Sequence, residues 1–131
     1  MSNQIAKARC SKPLAVIGLE TTGLNPAQDR ITKITILRIE PSNAVTSYVQ
    51  RIQVNQDSAD DLPFERDKLP RRGNPSFAAV HRHIRSLLIG SNVVGYNLKQ
   101  FTIAFLMAEF ERVGSGLSIP RDNLIDLQVA D

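Results

Sequence analysis

The apolar positions along the chain change their period several times, and each change marks an element. Leu14-Ala15-Val16-Ile17-Gly18-Leu19 is a short, nearly unbroken apolar run, the pattern of a strand buried on both faces and placed at the centre of a sheet. Arg30 to Glu40 alternates instead. Ile31, Lys33, Thr35, Leu37 and Ile39 fall on one face and Thr32, Ile34, Ile36 and Arg38 on the other, with β-branched residues dominating, which predicts a second strand. Pro41-Ser42-Asn43 supplies a turn, and Val45 to Val54, with Tyr48, Val49 and Ile52, returns as a third strand of an antiparallel meander. Asn55 to Asn74, rich in Asp, Pro, Arg and Lys, predicts a long surface loop.

Helical spacing begins after that loop. Phe77, Val80, Ile84, Leu87 and Leu88 form one stripe, with Pro75 suited to the first turn and Gly90 to the stop. Val93-Val94 predicts a short strand. It enters a second helix, expected from about Lys99, whose stripe holds Phe101, Phe105, Leu106, Ala108 and Phe110 and which Gly114 and Gly116 end. Asn123 to Leu127 predicts a last short strand after a turn around Pro120. The order βββαβαβ joins a meander to crossover units, so the expected fold class is a mixed α/β sheet with covering helices.

Composition narrows the setting. A chain of 131 residues, 42% hydrophobic and 22% charged, has the balance of one soluble domain, expected over residues 13–131 behind a flexible lead-in over residues 1–12. Cys10 is the only cysteine, which excludes an internal disulfide and a cysteine-based zinc site and favours a reducing, cytoplasmic location. No apolar run reaches the length of a membrane span, and Met1 to Pro13 lacks the apolar block of a secretory signal. The net charge of +3 is compatible with a polyanionic partner without requiring one.

Two stretches carry candidate chemistry. The first strand runs out into Gly18-Leu19-Glu20-Thr21-Thr22-Gly23-Leu24-Asn25-Pro26, which resembles the first motif of the DEDD superfamily of 3'-5' exonucleases, Asp-x-Glu-Thr-Thr-Gly-Leu. Val93-Val94-Gly95-Tyr96-Asn97-Leu98-Lys99-Gln100-Phe101-Thr102 and its continuation to Leu106 resemble the second motif of the same superfamily, in the spacing with three residues between Asn and Phe. The resemblance implies a ribonuclease H-like sheet in spatial order 3-2-1-4-5, shortened at its C-terminal end. In such a motif, carboxylates two apart on a strand share a face and approach a pair of magnesium ions, which activate water and stabilise the leaving oxygen of a phosphodiester.

Aligned with that pattern, Gly18 and Thr102 stand at aspartate positions and Glu20 is the one metal-binding carboxylate left. The third motif, with its general base and last aspartate, has no match before Asp131. The resemblance therefore implies a pseudoenzyme with Glu20 as a vestigial catalytic residue, no resident metal or cofactor, and Thr21, Thr22, Gly23, Tyr96 and Asn97 as nucleic-acid contacts. Its expected partner is a nucleic-acid 3' end or a replication or repair protein. A second reading is a metal-dependent exonuclease, using Mg or Mn, completed by another chain or by further sequence. A third is a structural module that pairs with a second copy through its sheet edge.

Simpler roles fit the same residues. Thr21, Thr22 and Gly23 suit turn chemistry, Asn97 suits a hydrogen-bonded brace at the strand-to-helix junction, and Phe101 and Phe105 suit the core. His81 and His83 lie two apart on a helix and do not share a face, which excludes a joint metal site. Arg71-Arg72 and the Arg82, His83, Arg85 group are basic spots of a solvated face, and Asp126 is a structural residue.

Overall fold

The structure is a computed structural model and describes residues 12–54 and 74–127. The expected flexible lead-in apart from Lys12, most of the long loop with Arg71-Arg72, and the last four residues lie outside the described residues, while the Lys12 ammonium donates to Asn123 Oδ1 at 3.1 Å. Strands β1 (Leu14–Thr21), β2 (Ile31–Ile39) and β3 (Val45–Arg51) come first, followed by helix α1 (Phe77–Leu88) and strand β4 (Asn92–Gly95). A π-helical turn over Leu98–Thr102 then runs into helix α2 (Ile103–Arg112), and a 3-10 turn over Arg121–Asn123 leads into β5 (Leu124–Asp126).

The five strands form one sheet in the order β3-β2-β1-β4-β5, the ribonuclease H-like arrangement. β1 pairs antiparallel with β2 and parallel with β4, β2 pairs antiparallel with β3, and β4 pairs parallel with β5. The β1–β4 and β4–β5 crossovers each contain a helix, as parallel connections require.

Both helices lie on one face of the sheet. Ala15 and Ile17 of β1, Ile34 and Ile36 of β2 and Val93 of β4 meet Phe77, Ile84 and Leu88 of α1 and Phe105, Leu106 and Phe110 of α2. On the opposite face Leu14, Val94 and Ile125 form a smaller cluster with Val16, Ile39 and Leu127, to which neither helix contributes. β1 is therefore buried on both faces only near its start. Gly18 and Glu20, further along the second face, are exposed.

Three local expectations need correction. Strict alternation put Ile31 on the Lys33 face. The β1–β2 register shifts after Glu20, so that Glu20 opposes Lys33 but Thr21 opposes Ile31, and Ile31 joins the helix-covered core with Ile34 and Ile36. Pro75 does not open α1. Ser76 is the N-cap, accepting from the Ala79 amide at 3.2 Å, while the Pro75 carbonyl accepts from the Gln53 amide at 2.8 Å. The third strand ends at Arg51 rather than Val54, since Gln53 leaves the β2 ladder for this bridge to the Pro75-Ser76 segment.

Helix ends follow the glycines. Gly90 and Gly114 take positive φ (80° and 72°), and after α2 the Ser115 amide donates to the Phe110 carbonyl and Gly114 to Glu111. That pair of bonds is the Schellman motif.

Candidate nucleic-acid interface

Because β1 and β4 are parallel, both motif-bearing stretches leave the sheet at the same end. Gly18 and Glu20 share the face of β1 away from the helices. Nothing lies within 4 Å of where a Cβ on Gly18 would stand. The Glu20 side chain is 62% exposed and pairs with Lys33 Nζ on β2 at 3.6 Å.

Thr21 to Arg30 forms a connection tied by its own side chains. The Thr21 hydroxyl donates to the Gly23 carbonyl at 2.6 Å, the Thr22 hydroxyl donates to Asp29 Oδ1 at 3.1 Å, and the Asn25 amide donates to Asp29 Oδ2 at 2.9 Å. The Asp29 carboxylate packs so closely on Gly23 that a Cβ there would lie 2.4 Å from Oδ2, so a larger residue would have to displace Asp29 from its bonds to Thr22 and Asn25. Leu24 projects from this loop, 84% exposed.

The connection is anchored from below by α2. Glu109, fully buried, accepts from Arg30 Nε at 3.0 Å and from the Ile31 amide at 2.8 Å, and lies 3.4 Å from Arg112 Nη1. Arg112 in turn donates to the Pro26 carbonyl at 2.7 Å. Sequence reading missed this cluster. Its signal is a carboxylate set among the apolar stripe residues Phe105, Leu106 and Phe110, with an arginine three positions on.

At the end of β4, Tyr96 is 71% exposed and Asn97 adopts a left-handed conformation (φ 53°, ψ 42°). A hydrogen bond of Asn97 does brace the junction, and it comes from the backbone. The residue makes no side-chain cap and acts through its backbone, which turns the chain so that its carbonyl accepts from the Phe101 amide at 3.1 Å. Gly95, two positions earlier, is closely packed: a Cβ there would stand 2.9 Å from Leu98 Cδ1 and 3.3 Å from the Ile17 carbonyl oxygen, so a larger residue would have to shift the buried Leu98. Thr102 is buried in the π-helical turn, which packs against β1, β4 and β5.

The other candidates scatter. Asp126 accepts from the Lys99 amide at 3.2 Å, tying β5 to the π-helical turn. Phe105 is in the core, with the half-buried Phe101 ring 4.8 Å from it. His81 packs edge-on against Phe110 and His83 against Tyr48. Arg85 is not a free surface cation, because it hydrogen-bonds Ser115 and the Gly116 carbonyl and lies over the Phe110 ring.

A pair of divalent ions does not fit these donors. Glu20 is opposed by Lys33, Gly18 has no side chain, Thr102 is buried and uncharged, and no group of three or more His, Cys, Asp or Glu converges among the described residues. No helix of the described residues is long and apolar enough to cross a membrane.

No family model and no curated protein matches the sequence. Solved structures do match. The zinc-bound E. coli exonuclease I–ssDNA complex aligns with a TM-score of 0.69 at 18% identity over 91% of this chain, and an exonuclease I/SSB-Ct complex with 0.67 at 20% over 89%. E. coli exonuclease I with a dT13 oligonucleotide gives 0.62 at 20% over 80%. The chain spans only 25% to 28% of the length of those exonuclease I chains. It is similar to them in fold: a five-stranded mixed sheet with two helices, as in the ribonuclease H-like part of exonuclease I.

Proposed function

We propose that this chain is an exonuclease-fold module that binds the 3' end of a single-stranded nucleic acid without hydrolysing it. The observation that carries this reading is the state of the first motif. Its one carboxylate, Glu20, is ion-paired to Lys33, beside a glycine that offers no ligand atom, while the loop that follows is tied by its own hydrogen bonds. Two-metal hydrolysis needs several charged oxygens around its ions, and this strand end supplies one. Binding needs less. Leu24 and Tyr96 are exposed at the end of the sheet from which both motifs leave, and bases pack on such apolar and aromatic surfaces without demanding a sequence.

The likeness to exonuclease I supports the nucleic-acid class of partner, and docking to a replication or repair protein is the companion proposal for the same surface. The test pairs two measurements on homogeneous protein. Fluorescence anisotropy should show salt-sensitive binding to single-stranded oligonucleotides, and gel assays in magnesium or manganese should show no shortening of them. Shortening that disappears in Glu20→Ala would establish the active-exonuclease reading instead.

A further inference from the structure

The sheet register sets three charged residues in one row across the end of the face that the helices leave uncovered. Glu20 on β1 opposes Lys33 on β2, and Lys33 opposes Arg51 on β3. Directly opposed residues of an antiparallel pair point to the same side with Cβ atoms about 5 Å apart. The row therefore sets two cations side by side, an arrangement that costs stability unless an anion sits near them.

Glu20 answers this only in part. Its Oε2 is 3.6 Å from Lys33 Nζ, outside hydrogen-bonding range, and no ammonium donor of Lys33 is hydrogen-bonded among the described residues. Arg51 is exposed, and its guanidinium has neither a carboxylate nor a hydrogen-bond partner among the described residues. Among the described residues, one carboxylate against two cations leaves the row with a surplus positive charge and unused donors. The adjacent row is open: Gly18 opposes the exposed Thr35, and nothing lies within 4 Å of a Cβ built on Gly18.

We propose that Lys33 and Arg51 hold a backbone phosphate of single-stranded nucleic acid directly, at the position beside Gly18 and Thr35, with no metal ion between protein and phosphate. Lys33 supplies the positive charge that a divalent ion would otherwise bring to this strand end, and Arg51 supplies a planar fork of donors suited to phosphate oxygens. Glu20 lies on the far side of Lys33 and repels the same phosphate, so its removal strengthens binding. This inference rests on the nucleic-acid reading above.

The experiment measures anisotropy with an oligothymidylate of about a dozen nucleotides, long enough to span a single-strand site of this size class. Affinity is expected to be equal in magnesium and in excess EDTA. The double variant Lys33→Gln/Arg51→Gln, which keeps the packing side-chain stems, is expected to bind about tenfold more weakly, with a log–log salt slope reduced by about 1.4 for two lost contacts. The charge-matched control Arg82→Gln/Arg121→Gln should change both far less, and Glu20→Gln should bind severalfold more tightly.

Loss of binding in EDTA, weaker binding by Glu20→Gln in magnesium, or equal affinities of the double variant and the control would overturn the inference while leaving nucleic-acid binding intact. Failure of the parent to bind any oligonucleotide would instead remove the functional reading. That outcome overturns the inference as well, and amide NMR with inorganic tripolyphosphate would then show, by shifts centred on Lys33, Thr35 and Arg51 or by none, whether these residues take another phosphate anion.

Discussion

Tyr48 of β3 has its hydroxyl oxygen buried and without a hydrogen-bond partner among the described residues, and its ring stands edge-on to His83 at 4.8 Å. An unsatisfied buried hydroxyl costs stability, so Tyr48→Phe should stabilise the fold by about 1 kcal/mol. The same burial raises the Tyr48 pKa by desolvation. The folded state then keeps a proton that the unfolded chain releases at about pH 10, so this contribution is complete below that pH and is lost as pH rises through the folded value. Urea midpoints at about pH 8 and about pH 10.5 should differ more for the parent than for Tyr48→Phe, the parent declining more steeply. An identical decline in both would show that Tyr48 ionises as freely in the folded protein as in the unfolded chain.

Between elements, the strongest polar tie is the one from α2 to the start of β2. Removing the charge in Glu109→Gln leaves Arg30 facing a buried neutral amide, and breaking such a pair from one side should cost about 3 kcal/mol in urea unfolding. A loss below about 1 kcal/mol would mean that the cluster relaxes into water at little cost. At this scale the sequence was readable where one period governed a whole segment, as in α1, and misleading where a tertiary bond intervened. Pro75 has the right chemistry for a first helical turn, but its carbonyl is engaged by Gln53. Ile31 obeys alternation until a single register shift after Glu20 turns it over. Neither the bond nor the register shift is local in sequence, and neither leaves a mark on the apolar pattern.

For the molecule as a whole, strand order was legible because two motifs and a βββαβαβ order admit few arrangements. The candidate site was legible as positions and not as contacts: Lys33 opposite Glu20, Asp29 against Gly23 and Glu109 beneath Arg30 depend on register and on a helix packing across the sheet. The alignment of Gly18 and Thr102 with lost carboxylates has its own test. Gly18 has open space for a side chain, whereas Thr102 is buried and an aspartate there must be desolvated. Gly18→Asp/Thr102→Asp should therefore melt lower than the parent without divalent ions and recover with manganese, because an ion that binds only the folded state shifts the equilibrium toward it. Calorimetric titration of a folded double variant that takes up no more manganese than the parent would show that the three carboxylates do not converge.

The position of β1 between an antiparallel and a parallel neighbour also governs how the sheet can assemble. On one side its partner follows at once in the chain, so β1, β2 and β3 zip together from turns with little loop to close. On the other side Val16 must find Val94, across the whole meander, the long connection and α1. Closing so large a loop is slow and is rewarded only late, when α1 and β4 arrive together. The strand that carries Gly18 and Glu20 thus gains one neighbour early and the other late, and the end of the sheet where the two motifs meet is completed only when the slow half of the fold docks onto the fast one.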